Sequence, residues 1–219
     1  GGTGGHIYPA IAIAQKLQKD NEVEHIYYVG NPKNIEFDIV NTNCSQSSFD
    51  EKNIAFLPIT VAGMPRKPDF KLFMWYVFLN IAIIKCLFYF IKIKPDVIVG
   101  TGGYVSGPAL IAGWLTGVPI VIHDPDAHPG VVSRFMAPKA NYVSVAFEKA
   151  KKYLNSNKIV INGNPLRENF TKTDRIDALK HFNFYENKKT ILVLGGSQGS
   201  ITINEALLGC VKQLVTEHN

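Results

Sequence analysis

Seven short runs rich in valine and isoleucine constrain this chain more than any other feature, because most of them end at a turn signal and feed a helical pattern. They are EHIYYVG (24–30), IAFLPIT (54–60), PDVIVG (95–100), PIVIHD (119–124), NYVSVAF (141–147), KIVINGN (158–164) and TILVLGG (190–196). The runs are continuously apolar and do not alternate in and out, which is the pattern of parallel strands covered on both faces. Strand, turn and helix in alternation predict an α/β fold with a doubly wound parallel sheet. After the opening glycines, Ile7, Ala10, Ile11, Ala14 and Leu17 recur at helical spacing while Gln15, Lys16 and Lys19 fall on the other face, so the first helix is amphipathic.

Each of four junctions reads equally as a tight β–α connection or a ligand loop, and four in one chain favour a ligand: GGTGGH (1–6), GTGGYVSGP (100–108), HDPDAHPG (123–130) and GGSQGS (195–200). At a strand-to-helix turn, glycine admits positive φ and lets a ligand touch the backbone, while the helix N-terminus offers free N–H groups to an anion. In a doubly wound sheet such junctions all lie at the carboxyl ends of the strands. None has the Gly-Lys-Ser/Thr of a nucleotide-binding P-loop, and Ile7 stands where a dinucleotide fingerprint needs its third glycine. A turn like GGTGGH normally follows a buried strand, so a strand is expected ahead of Gly1 and the chain reads as a fragment.

The stretch from Asn164 to Lys189 is more polar than its surroundings, which places a domain boundary near Gly163, with residues 1–163 and 164–219 on either side. The second part begins another strand, glycine turn and helix; a single strand and helix cannot bury a sheet, so this domain too is expected to be cut short.

His6 stands where the first helix begins. The helix dipole disfavours its protonated form there, which suits a general base; a capping or packing role is equally open, since spacing fixes no partner. Asp124 and Asp126 flank Pro125, and one of them is expected to face the cleft; helix capping is the alternative role. His123 and His128 lie beside these acids, but without a third convergent ligand no metal is expected.

A net charge of +5 and a pI near 9.0 favour an acidic partner such as a nucleotide, a diphosphate or an anionic membrane, and are too mild for nucleic acid. Three widely spaced cysteines, Cys44, Cys86 and Cys210, suit a reducing compartment. The segment KLFMWYVFLNIAIIKCLFYFIKIK (71–94) is long enough to cross a bilayer. Lys85 near its centre, and its position between strands of one sheet, argue against a crossing. Its aromatics, with Arg66, Lys67 and Lys71 before it and Lys92 and Lys94 at its end, predict a partly buried helix with one face in the lipid headgroup region.

Taken together, GGTGGHIYPAIAIAQKL, PDVIVGTGGYVSGPALIAGWLTGVPIVIHD, GNPLR and ILVLGGSQGS, in that order, closely resemble the MurG family. These are transferases that move N-acetylglucosamine from UDP-GlcNAc to an undecaprenyl-diphosphate-linked muramoyl-pentapeptide in peptidoglycan synthesis. The resemblance implies a two-domain glycosyltransferase B fold, inversion at the anomeric carbon, no cofactor or tightly held metal, and a peripheral position on the cytoplasmic face of the cell membrane. By position it implies that Thr3, Gly4 and Gly5 lie near the donor diphosphate and acceptor, and that His6 acts near the acceptor hydroxyl. It also implies that Arg167 and Ser197 contact the donor, while Gly102, Gly103, Tyr104 and Ser106 face the lipid diphosphate. Where the family has HEQN this chain has HDPD: Asp124 replaces a glutamate and Asp126 an asparagine, which adds a negative charge near the nucleotide. Asp124 is a second candidate for the base. Residues 1–219 alone are expected to be inactive, because most uracil and sugar contacts in the family belong to the remainder of the second domain. A non-catalytic membrane-docking subunit of a split transferase and a sugar-nucleotide epimerase of the same fold are the alternatives.

Overall fold

The computed structural model describes residues 4–33, 35–44, 54–65, 67, 69–167, 173–196 and 199–217. The chain divides into two units, Gly1–Asn169 and Phe170–Asn219.

In the first unit, α1 (Gly4–Gln18) leads to β1 (Ile26–Gly30), α2 (Ile35–Cys44) and β2 (Ile54–Pro58). Then come α3 (Phe70–Ile93), β3 (Ile98–Gly100), α4 (Gly107–Thr116), β4 (Ile120–Asp124), α5 (Val131–Met136), β5 (Tyr142–Val145) and β6 (Ile159–Ile161). All pairings are parallel: β1 with β2 in one sheet, and β3, β4, β5 and β6 in that order in another. The parallel α/β fold and six of the seven predicted strands are therefore present. Tight register depends on small residues: a Cβ on Gly100 would come 2.8 Å from the Leu110 methyls, and one on Gly113 would overlap Ile98 Cδ1. These glycines let α4 lie directly on β3.

The larger core joins Ile98, Ile120, Ile122, Val143 and Val145 of the four-stranded sheet to Leu110 of α4 and to Ala82, Cys86 and Phe90 of α3. A smaller cluster packs Ile7 and Ile11 of α1 on Tyr28 and Val40. A cavity of about 810 Å3 lies between the edges of β1 and β3, lined by Ala14, Ile26, Tyr28, Phe90, Ile98 and Leu110 among others.

Helix α3 has two faces. Ala82, Cys86 and Phe90, four residues apart, are its buried positions and enter the core. Phe73, Val77, Ile81, Ile84, Phe88 and Ile91 are exposed and, at 100° per residue, form a stripe on the opposite side. Its N-terminus is capped by Asp69, whose Oδ1 accepts from the Lys71 N–H at 2.9 Å, and Lys94 closes it in the left-handed conformation at φ 52°. Burial pushes the Cys86 thiol up to about 12, so it stays a neutral core group.

The second unit holds α6 (Arg175–His181) and α7 (Ile201–Glu217). The predicted strand at 190–196 does not form: Thr190–Gly196 makes no ladder, and Ile191, Leu192 and Leu194 are exposed. A strand gains its hydrogen bonds only from a neighbour, and the described residues of this unit contain none. Gly196 and Gly199, which follow it, have positive φ of 76° and 73°.

Candidate functional site

The site is assembled at the carboxyl ends of β3 and β4 against the first turn of α1. Gly4 and Gly5 are already helical, so His6 lies in the opening turn of α1. Its carbonyl accepts a 2.8 Å hydrogen bond from Thr101 Oγ1. Thr101 is buried and was invisible as a functional residue in the sequence, since nothing in its spacing announces a partner 95 positions away. The next residues, Gly102 and Gly103, have φ of 81° and 72°. A Cβ on Gly102 would fall 2.7 Å from His6 Cδ2 and 3.7 Å from Asp124 Oδ2, so only glycine lets imidazole and carboxylate meet over this backbone.

Asp124 ends β4 and is fully buried. Its Oδ1 accepts from the Asp126 N–H at 3.0 Å, which curls the chain at Pro125 into a side-chain-stabilised turn. The segment thus bends at Pro125, and both acids, not one alone, lie near His6. The turn carries Asp126 Oδ2 to 3.6 Å from His6 Nε2. Asp124 Oδ2 is buried and accepts no hydrogen bond from the described residues. An unsatisfied buried carboxylate oxygen is costly, and this one is an acceptor beside the imidazole.

The His6 side chain is 16% exposed. Burial holds its pKa below the ordinary 6.5, against the opposing pull of the Asp126 and Asp124 charges. The direction matches the sequence expectation, with desolvation as the leading cause. His6 is therefore neutral at pH 7 and able to take up a proton, and the two acids stabilise the imidazolium once formed.

The other histidines face elsewhere. His123 Nδ1 lies 3.0 Å from Ser144 Oγ and its Nε2 3.3 Å from Asn164 Oδ1; burial lowers its pKa as well. His128 Nε2 meets Tyr153 Oη at 3.0 Å.

Ser106 Oγ donates to the Gly103 carbonyl at 2.9 Å and stiffens the glycine loop. Tyr104 lies beside Gly63, where a Cβ would sit 3.8 Å from its ring. The Arg167 guanidinium stacks over the Tyr8 ring of α1 at 4.3 Å, in cation–π geometry, which draws the GNPLR segment to the helix that carries His6. Thr3 and Ser197, like the flanking Arg66, lie outside the described residues.

The exposed apolar surface is wider than the sequence suggested. Trp114 and Leu115 at the end of α4, and Val131 and Phe135 of α5, are also exposed. Lys139 bridges Trp114 and Phe135 at 5.4 and 4.0 Å from their ring centres. Each of these belongs to a short helix that looks like ordinary core sequence, so its exposure could be found only in three dimensions.

Residues 1–145 match the glycosyltransferase family 28 N-terminal domain. The chain belongs to glycosyltransferase family 28. Relatives from Natranaerobius thermophilus (35% identical over 99% of this chain and 57% of the relative) and Bacillus subtilis (34% over 95% and 55%) carry one name: UDP-N-acetylglucosamine--N-acetylmuramyl-(pentapeptide) pyrophosphoryl-undecaprenol N-acetylglucosamine transferase. The family 28 chain thus spans about half the length of the curated relatives it matches. Its structure superposes on that of Acinetobacter baumannii MurG with a TM-score of 0.65 at 26% identity, covering 97% of this chain and 53% of that one. A Staphylococcus aureus MnaA–UDP structure shares the fold, with a TM-score of 0.55 at 14% identity over 97% and 57%. The resemblance to the MurG family carried by the four motifs is borne out.

Proposed function

We propose that the protein to which this chain belongs is an inverting transferase that moves N-acetylglucosamine from UDP-GlcNAc to an undecaprenyl-diphosphate-linked muramoyl-pentapeptide at the cytoplasmic face of the membrane. The observation that carries the reading is the convergence of neutral His6, Asp124 and Asp126 over a glycine backbone at the strand ends. His6 takes the proton of the C4 hydroxyl of the muramoyl sugar. The freed oxygen attacks the anomeric carbon from the face opposite the nucleotide, the new C–O bond forms as the bond to the diphosphate oxygen breaks, and UDP leaves with the electron pair. Asp126 and Asp124 balance the charge gained by the imidazole. Arg167 and the N–H groups at the start of α1 receive the charge developing on the diphosphate.

In this reading the first unit holds the acceptor and the membrane surface, and the second begins the donor domain. The stripe of α3 and the Trp114–Phe135 surface lie in the headgroup region, with Lys67, Lys71, Lys92, Lys94 and Lys139 toward anionic lipid. A docking subunit without catalysis would have no use for the three convergent titratable groups.

The test is transfer of radiolabel from UDP-GlcNAc by the full-length protein to lipid-linked muramoyl-pentapeptide in vesicles. One UDP is expected for each labelled lipid. Turnover of UDP-GlcNAc to an epimer, with no label in the lipid, would replace this reading with the epimerase.

A further inference from the structure

We propose that Asn164, held by buried His123, is a positioning residue that sets Arg167 for the donor diphosphate; this rests on the donor reading above. His123 sits in β4 opposite Ser144 of β5 and is only 3% exposed. Asn162 Nδ2 donates to Ser144 Oγ at 3.2 Å. Ser144 Oγ lies 3.0 Å from His123 Nδ1, and His123 Nε2 lies 3.3 Å from Asn164 Oδ1. One arrangement of protons satisfies the whole line: the Asn162 amide donates to Ser144, the Ser144 hydroxyl donates to Nδ1, and the Nε2–H donates to Asn164. The neutral imidazole that this requires is the form burial favours.

The line fastens a turn. The Asn162 N–H also donates to the Val145 carbonyl at 3.1 Å, and Gly163 at φ 71° separates the two asparagines in a conformation that suits glycine. Pro165 follows, fixing its own φ and holding Asn164 extended. Arg167 is three residues from the anchored Asn164, a tether of at most roughly 10 Å. Its far end is fixed too, by the stack of its guanidinium 4.3 Å over Tyr8. Loss of the Asn164 amide strands the Nε2–H in the core and releases the root of the tether.

The experiment is a double-mutant cycle on UDP affinity in the full-length protein, read by calorimetry, with Tm and acceptor KM measured alongside. Asn164→Ala and Arg167→Ala are each expected to weaken UDP about tenfold, the scale of one charge-assisted hydrogen bond. The double variant should bind no more weakly than Arg167→Ala, and acceptor KM should not move. Ser144→Ala, which loses only a hydroxyl, should show a few-fold loss that Arg167→Ala likewise absorbs, and it carries the test alone if Asn164→Ala does not fold. Wild-type UDP affinity in a folded Asn164→Ala protein, or losses that multiply in the double variant, would overturn the positioning role while leaving the donor reading intact. Wild-type affinity in Arg167→Ala would overturn both.

Discussion

In the full-length protein, His6→Ala lowers kcat by about 10²- to 10⁴-fold, the contribution of a positioned acid–base group, with little change in the KM for UDP-GlcNAc. The pattern follows from where the imidazole sits. Its backbone is pinned by Thr101, its ring lies against Gly102, and its Nε2 faces Asp126. None of these contacts holds the nucleotide, so the loss falls on the chemical step. Removal of the side chain leaves the Thr101 hydrogen bond in place, because that bond uses the His6 carbonyl; the loop therefore keeps its shape and Tm moves little. Steady-state kinetics and a thermal melt check both parts. An unchanged kcat would remove His6 as the base and leave Asp124, whose buried Oδ2 lacks a partner among the described residues, as the remaining candidate.

The second large effect is on the membrane. Ile84, Phe88 and Ile91 lie on the exposed stripe of α3, away from Ala82, Cys86 and Phe90. Replacing all three by glutamate removes the apolar contribution of each, about 1.5–3 kcal/mol for a fully buried side chain, and sets three negative charges against anionic lipid. Co-sedimentation of the full-length protein with phosphatidylglycerol vesicles should fall at least about tenfold. Tm should be retained, since the buried face is untouched. The wild-type protein should also release from vesicles as salt rises, because the flanking lysines act within a Debye length of the surface. Undiminished vesicle binding by the triple variant would make α3 an ordinary surface helix.

Much of this was legible in the sequence because periodicity and turn chemistry are local. The Val/Ile runs gave six parallel strands, the 71–94 segment gave α3 nearly residue for residue, and the glycines at 102 and 103 gave positive φ where the loop needed it. The seventh run failed because a strand is defined by its neighbour, and Thr190–Gly196 has none among the described residues of its unit. The Asp124–Asp126 geometry was not legible for a related reason: no local pattern shows that the Asp124 carboxylate accepts the Asp126 N–H and turns the chain, which brings both acids to His6. Thr101 and Asn164 lie inside quoted motifs and Ser144 inside a strand run, but nothing local marks their partners. Their roles depend on pairings across strands and loops 21 to 95 positions apart, which only the folded sheet supplies.

The departure HDPD adds a charge where the MurG family pattern has an amide, and that charge raises the pKa of His6 against the lowering by burial. Asp126→Asn restores the amide and removes that support. The most direct measurement of the site is therefore the pH–rate profile of kcat for the wild-type and Asp126→Asn full-length proteins. Wild-type activity should fall on an acid limb below pH 6.5, and the limb should move to still lower pH in the variant. An acid limb that stays in place would mean that the group accepting the proton is not the imidazole beside Asp126.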